Sequence, residues 1–136
     1  MFEISKATHK YYKVTKNNET IQITANLKCI TDVLIIDKKR YIRVEVKDGL
    51  LDFLCKLSNF CSNKFDNFTS IVTNDSISVK LPFRYNKYEI KYIGQASSDD
   101  LKDGSNIKCT IEVSGVVQSK YSSMCTFKLI QLEESK

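Results

Sequence analysis

Residues 84–92 interleave three cationic side chains with three tyrosines. Guanidinium and ammonium groups bind phosphates, and flat rings stack on unpaired bases, so this combination is typical of surfaces that hold single-stranded nucleic acid. Two similar clusters occur at residues 39–43 and 10–13. If the three clusters meet on one side of the fold, they form a basic trough lined with rings.

From these clusters we predict nine residues that contact nucleic acid, the cations through phosphates and the rings through bases. They are Tyr11, Lys13, Arg40, Tyr41, Arg43, Arg84, Tyr85, Lys87 and Lys91. Stacking and charge treat every base alike, so we expect weak sequence preference. In the alternative interpretation, Tyr88 and Tyr92 point into the core and the lysines only solubilise the surface.

Positive charge is concentrated in two parts of the chain. The net charge is +5, with ten Lys or Arg against five acids in residues 1–47 and four against one in residues 76–93. Such clustering favours a polyanionic partner. A lysine-rich solvated surface would give the same totals, so charge alone does not choose between binding and solubility.

Residues that could carry out catalysis are sparse. The chain has a single histidine, His9, no glycine-rich phosphate loop and no Cys/His spacing of a zinc site. The acidic group at residues 99–103 lacks the spacing of a calcium loop. We therefore predict a protein with no enzymatic activity, no cofactor and no metal.

The cysteines, at positions 29, 55, 61, 109 and 125, are odd in number. We predict that they are buried, reduced thiols, which places the protein in a reducing intracellular compartment, the cytoplasm or nucleus. No apolar run approaches the length of a signal sequence or a membrane span, so we expect no membrane association.

The spacing of apolar residues predicts one domain over residues 1–136, built from short strands and one helix. The helix is predicted over residues 49–61, with Asp48 as its N-cap. The predicted strands are 9–14, 20–25, 33–36 (buried on both sides), 41–46, 77–81, 88–92, 107–113, 116–120 and 124–132, with a turn at Ser114–Gly115. Short strands at intervals of about ten residues predict an all-β fold, specifically an OB-type Greek-key barrel with one helix.

Three segments between residues 78 and 129 carry a family resemblance. A lysine-bearing strand leads into Pro82-Phe83-Arg84-Tyr85, Leu101-Lys102-Asp103-Gly104 precedes a strand with a Ser-Gly step, and the last strand carries Phe127. This pattern resembles the OB core of single-stranded DNA-binding proteins of phages and large DNA viruses. The resemblance implies a viral protein that binds single-stranded DNA in replication, recombination or repair, with replication proteins as partners.

Two alternatives stay open. An RNA-binding barrel would use every residue named above, because DNA and RNA differ here only in the 2′-hydroxyl. A non-enzymatic viral accessory or scaffold module that binds another protein would have its rings in the core and its lysines in solvent.

Overall fold

The computed structural model describes residues 1–134, which form twelve β-strands, one α-helix and one 3₁₀ turn. The strands are β1 (Phe2–Lys6), β2 (Tyr11–Lys16), β3 (Glu19–Thr20), β4 (Gln22–Cys29), β5 (Leu34–Ile36), β6 (Lys39–Glu45), β7 (Ser76–Leu81), β8 (Phe83–Arg84), β9 (Lys87–Tyr88), β10 (Lys91–Ile93), β11 (Asn106–Gln118) and β12 (Ser123–Glu133). Helix α1 spans Asp48–Ser62, and the 3₁₀ turn spans Ser98–Asp100. The predicted β-rich class with one helix is confirmed.

Five of the strands pair in a closed ring. Going round it, β4 pairs with β6, β6 with β7, β7 with β12, β12 with β11, and β11 returns to β4. The contact between β7 and β12 is parallel and joins Lys80 to Lys128, whereas the other four are antiparallel. In such a ring alternate side chains of each strand point to the core and to the outside.

The core lies inside this ring. Its largest enclosed side chains are branched aliphatics such as Ile42, Val44, Val79, Leu129 and Leu132, each at most 1% exposed. β-branched and leucine side chains suit these positions because they pack well on a pleated surface. The core therefore determines which face of each ring strand is exposed to solvent.

Helix α1 covers part of this core with Leu54, Leu57 and Cys61. Its bounds agree with the predicted helix to within a residue at each end. The predicted N-cap is wrong, because Asp48 is the first helical residue and Lys47 precedes it without a side-chain cap. The Asp48 carboxylate still lies at the positive end of the helix dipole, which favours a negative charge there.

Strands β1 to β3 and β10 flank the ring. Strand β2 pairs with β11 through Tyr11 and Tyr12, β1 lies along β2, and β10 runs parallel to the end of β12. The predicted hairpin at Asn17 and Asn18 forms, with both residues in the left-handed region. Its return strand is only Glu19–Thr20, because β4 pairs with β11 instead. The pattern of the sequence did not indicate β1.

The apolar run at residues 33–36 is not buried on both sides as predicted. Strand β5 makes a hairpin with β6, and Leu34, Ile35 and Ile36 are 40%, 62% and 55% exposed. The turn residues Asp37 and Lys38 both adopt positive φ, which gives a tight two-residue connection. Because β5 pairs with β6 alone within residues 1–134, no second neighbour covers it.

The predicted turn at Ser114–Gly115 is also wrong, since β11 continues through it with a bulge. Gly115 has a φ of 141°, and a Cβ built on it would collide with the carbonyl oxygen of Tyr12. Glycine is thus required here for the close approach of β2 to β11, and not for a chain reversal.

The predicted strand over residues 88–92 is split in two. Strand β7 ends at Leu81, as expected before Pro82, and β8 and β9 then form a separate small hairpin around Tyr85–Asn86. Strand β10 begins only at Lys91. The segment after β7 therefore projects a short hairpin from the end of the ring before the chain returns to it.

Candidate functional site

The outer face of the ring carries an open groove with a volume of about 650 Å³. It lies across β6, β7 and β12, and it is bordered by β2, by the β5–β6 hairpin and by residues 69–73. Its outward-pointing charged and aromatic side chains are Tyr11, Lys39, Tyr41, Arg43, Lys80 and Lys128.

Strand alternation determines this lining. On β6, Lys39, Tyr41 and Arg43 point outward and alternate with the buried Ile42 and Val44. The same alternation turns the lysines of β7 and β12 outward, because their neighbours on each side are buried. The hydrophobic core thus places the polar lining of the groove.

A row of partnered residues crosses the groove. Tyr41 lies opposite Lys80, Lys80 lies opposite Lys128, and Lys128 lies opposite Glu112. The Nζ of Lys128 is 3.5 Å from a carboxylate oxygen of Glu112, whereas Lys80 has no carboxylate at ion-pair distance among residues 1–134. Like charges on neighbouring strands repel each other, and an anion placed above the row would relieve that repulsion.

The Arg43 guanidinium is held in place by Ser76. Its Nε and Nη2 donate to the Ser76 hydroxyl at 3.2 and 2.7 Å, and that hydroxyl donates to the carbonyl of Thr73 at 2.8 Å. Three of the five N–H bonds of the guanidinium point elsewhere. The side chain is therefore ordered before any ligand arrives and keeps donors free for a phosphate.

Tyr11 forms the edge of the groove on the β2 side. Its hydroxyl donates to the carbonyl of Ser114, and its ring lies against Gly115. Burial, with a smaller effect of Glu112, raises the pKa of this phenol above its usual range. The ring is thus a fixed, neutral surface at neutral pH.

A second group of predicted residues gathers at the β8–β9 hairpin. The Arg40 guanidinium carbon lies 3.7 Å from the ring centre of Phe83, and Nη1 donates to the Tyr88 hydroxyl at 3.1 Å. Phe83 and Tyr88 are in edge-to-face contact at 5.0 Å. Arg40 therefore points away from the groove and braces the base of the hairpin.

The structure brings together three of the nine predicted residues in the groove, namely Tyr11, Tyr41 and Arg43. Four belong to the hairpin or its base, namely Arg40, Arg84, Tyr85 and Lys87. Lys13 on β2 and Lys91 on β10 are exposed and line neither. The three sequence clusters therefore meet on one face only in part.

Lys80, Met124 and Lys128 are among the lining residues that the nine predicted residues did not include. Alternation shows that both lysines point away from the core, but their adjacency depends on a parallel pairing between strands that are far apart in sequence. Met124 is half exposed, next to the exposed Val117. The sequence signal for Met124 was a methionine at a position that strand alternation turns away from the core.

The cysteines are free thiols, and four of them are buried as predicted, whereas Cys55 is exposed on the solvent side of α1. Burial raises the pKa of Cys29 to about 11 and that of Cys109 to about 12. The hydrogen bond that the Cys125 thiol donates to Cys61, together with burial, raises the pKa of Cys125 well above its usual value. These three thiols stay protonated at neutral pH, so they are poor nucleophiles.

Within residues 1–134, no group of three or more His, Cys, Asp or Glu side chains is arranged to hold a metal ion. In the same part of the chain, no helix combines the length and the apolar character needed to cross a membrane. Comparisons with protein-family models, curated proteins and solved structures found no significant match. The resemblance to viral single-stranded DNA-binding proteins therefore stays a prediction.

Proposed function

We propose that this protein binds single-stranded nucleic acid in the groove, without catalysis and without strong sequence preference. The observation that carries the proposal is the row of Tyr41, Lys80 and Lys128 across three strands. It offers one ring and two ammonium groups to the same ligand, with Arg43 and Lys39 beside them on β6. This is the combination that single-strand binding requires.

The architecture supports the same proposal. We infer that the ring is an OB-type Greek-key barrel, in which β4, β6, β7, β11 and β12 are the first to fifth strands. Barrels of this type bind oligonucleotides on the face of the second and third strands and at the loops between strands one and two and between strands four and five. Here the groove lies on β6 and β7, and Ile36 and Met124 border it beside those two loops.

Each lining group would have a distinct part in binding. The ammonium groups of Lys80 and Lys128 would neutralise successive phosphates, and the braced Arg43 would bind a phosphate with two donors. The Tyr41 and Tyr11 rings would stack on bases. Hydroxyls of Ser78 and Thr126 on the groove floor would hydrogen-bond to whichever base edge or sugar reaches them.

A salt titration of oligo-dT binding tests the proposal. We expect binding at low salt that weakens as salt rises, because the phosphates release counterions. Replacing both Lys80 and Lys128 with Gln should reduce the slope of log K against log salt by about 1.4, at about 0.7 for each phosphate contact. The matched control replaces Lys56 on α1 and Lys64 just after it, which are exposed and do not line the groove, and should keep the slope. Absence of binding at low salt would contradict the proposal.

Competition between DNA and RNA oligomers of the same sequence then decides the class of nucleic acid. Preference for DNA supports a role in replication, recombination or repair, as the resemblance implies. Preference for RNA would indicate that the 2′-hydroxyl is recognised on the groove floor.

Strand β5 favours a second candidate function, binding of an extended protein segment. Leu34, Ile35 and Ile36 are exposed, and the outer edge of β5 is unpaired within residues 1–134. Exposed apolar edge strands take up extended segments of other proteins by strand addition. A protein that binds no oligonucleotide at low salt would favour this function over the first.

A further inference from the structure

The tip of the β8–β9 hairpin holds a tyrosine in an unusual backbone conformation. Tyr85 and Asn86 form its two-residue turn with φ values of 53° and 62°. Asparagine and glycine tolerate this left-handed region, whereas a bulky side chain rarely adopts it. The Tyr85 side chain is also 87% exposed, so it gains no burial in return. Folding alone does not explain a tyrosine at this position.

The base of the hairpin is rigid. Phe83 and Tyr88 pack edge to face across it, and the Arg40 guanidinium lies on Phe83 and donates to the Tyr88 hydroxyl. The backbone N–H of Glu89 donates to the carbonyl of Pro82 at 2.8 Å. The exposed ring is thus carried on a fixed support and not on a loose loop.

The Tyr85 ring has a cation near one face and is otherwise open to solvent. The Arg84 guanidinium carbon lies over the ring, 5.6 Å from its centre. Lys87 pairs with Arg84 across the hairpin and supplies a second cation at the tip. A flat ring with a cation on one face and solvent on the other can accept a single stacked base, and the two cations can bind the adjoining phosphates.

The hairpin adjoins the groove. Lys80 of the groove is followed within three residues by Phe83, and Lys39 of the groove directly precedes Arg40, which braces the hairpin. A strand that leaves the groove past Lys39 and Lys80 would reach the hairpin next. The two sites are therefore consecutive along one path.

We propose that the β8–β9 hairpin is a second contact site for the same strand, separate from the groove, at which Tyr85 stacks on one unpaired base. This inference rests on the proposed function, because it assumes that the groove holds single-stranded nucleic acid. It divides the binding site into a groove, which short oligomers can fill, and a tip, which only longer oligomers reach.

Fluorescence anisotropy with oligo-dT of about 6 and about 16 nucleotides, within the range of site sizes of such barrels, tests the inference. Replacing Tyr85 with Gly removes the ring and suits the backbone of the turn, so the fold is preserved. We expect this variant to lose roughly tenfold in affinity for the longer oligomer and to bind the shorter one as the wild type does. Tyr85→Phe, which keeps the ring, should behave as the wild type with both.

The possible outcomes are distinct. If both oligomers bind the wild type and Tyr85→Gly binds each of them as tightly as the wild type does, the hairpin site is overturned. The assignment of the groove is then unaffected. If Tyr85→Gly weakens the two oligomers equally, the tip is not a separate site and the inference is wrong. If the wild type binds neither oligomer at low salt, the proposed function fails, and the inference fails with it.

Discussion

The groove and the β8–β9 hairpin present aromatic rings and cations in two different ways. In the groove, Tyr11 and Arg43 are half buried and are fixed by hydrogen bonds, Tyr11 to Ser114 and Arg43 to Ser76. At the hairpin tip, the Tyr85 side chain is free and the backbone beneath it is constrained. In a concave site, neighbouring residues pack against the side chains and order them. In a projecting hairpin, only the backbone conformation of the turn orients the aromatic side chain. Both arrangements reduce the entropy lost on binding.

Among the substitutions that should change the groove and leave the hairpin intact, Gly115→Ala is expected to have the largest effect on stability. Replacing it with Ala forces a Cβ against the Tyr12 carbonyl at a φ of 141°, which should lower the free energy of unfolding by about 3 kcal/mol. The groove should lose its Tyr11 edge, while the hairpin, whose base is held by Arg40, Phe83 and Tyr88, should keep its geometry. Urea unfolding measures the loss of stability.

Gly49 provides the matched control for that substitution. A Cβ at Gly49 meets no atom within 4 Å, and the residue lies in α1. Ala at this position should leave stability unchanged or raise it by up to about 1 kcal/mol. Equal stability of Gly115→Ala and the wild type would show that β2 does not depend on the close approach.

Alkaline pH should lower the stability of the strand ring, because its core contains the buried thiol of Cys109 and the β8–β9 hairpin contains no thiol. Burial raises the pKa of Cys109 to about 12, while the thiol of the unfolded chain ionises near 9. The unfolded state therefore loses its proton first, and stability present below pH 9 is lost as the pH rises towards 12. The loss from this thiol should reach about 2–3 kcal/mol at pH 11.

Urea unfolding at pH 8 and pH 11 checks this expectation. Cys109→Ala should remove its part of the pH dependence, whereas Cys55→Ala, at an exposed thiol, should retain all of it. The same pH dependence in all three proteins would rule out Cys109 as its source.

Tyr41 and Tyr85 should differ in which oligomers they affect. Tyr41→Ala is expected to weaken binding by about 2 kcal/mol for short and long oligomers alike, because its ring lies in the groove that both occupy. Tyr41→Phe should bind as the wild type. A loss confined to the longer oligomer would mean that Tyr41 does not stack in the groove.

Ser76 should act on binding only through Arg43. Ser76→Ala releases the guanidinium and is expected to weaken binding by about 1 kcal/mol. In the Arg43→Ala background the same substitution should have no further effect on affinity, although it still lowers stability. An additive loss of affinity in this double-mutant cycle would contradict the positioning role.

The smallest effect expected is on the stability of the hairpin. Tyr85→Gly should raise the free energy of unfolding by about 0.5–1 kcal/mol, because glycine adopts the left-handed region without strain. Asn86→Gly, the neighbouring control, should gain less, since asparagine tolerates this region. A clear loss of stability in Tyr85→Gly would show that the ring has a structural role.

Local patterns predicted the faces of the ring strands but not their neighbours. Alternation in β6 correctly separated Tyr41 and Arg43 from the buried Ile42 and Val44, and the period of α1 gave its bounds. The adjacency of Lys80 and Lys128 could not be predicted, because no local signal specifies which distant strands lie in parallel. The grooved face is therefore a product of topology as much as of composition.

Other failures share one physical cause, the context of a strand within its sheet. The apolar run of β5 resembles a central strand, yet its position at an edge leaves it exposed. Gly115 resembles a turn signal, yet the approach of β2 requires a glycine within a continuous strand. Both residue patterns are ambiguous until the neighbouring strands are known.

Photocrosslinking tests the central claim most directly. A long oligo-dT that carries bromodeoxyuridine, irradiated with the protein at low salt, should crosslink to Tyr41, Tyr11 and Met124 in the groove, with salt suppressing the reaction. The Lys80→Gln, Lys128→Gln double variant should lose most of these crosslinks. Crosslinks located on α1 or β4 instead, or unaffected by the double variant, would contradict the assignment of the groove as the nucleic-acid site.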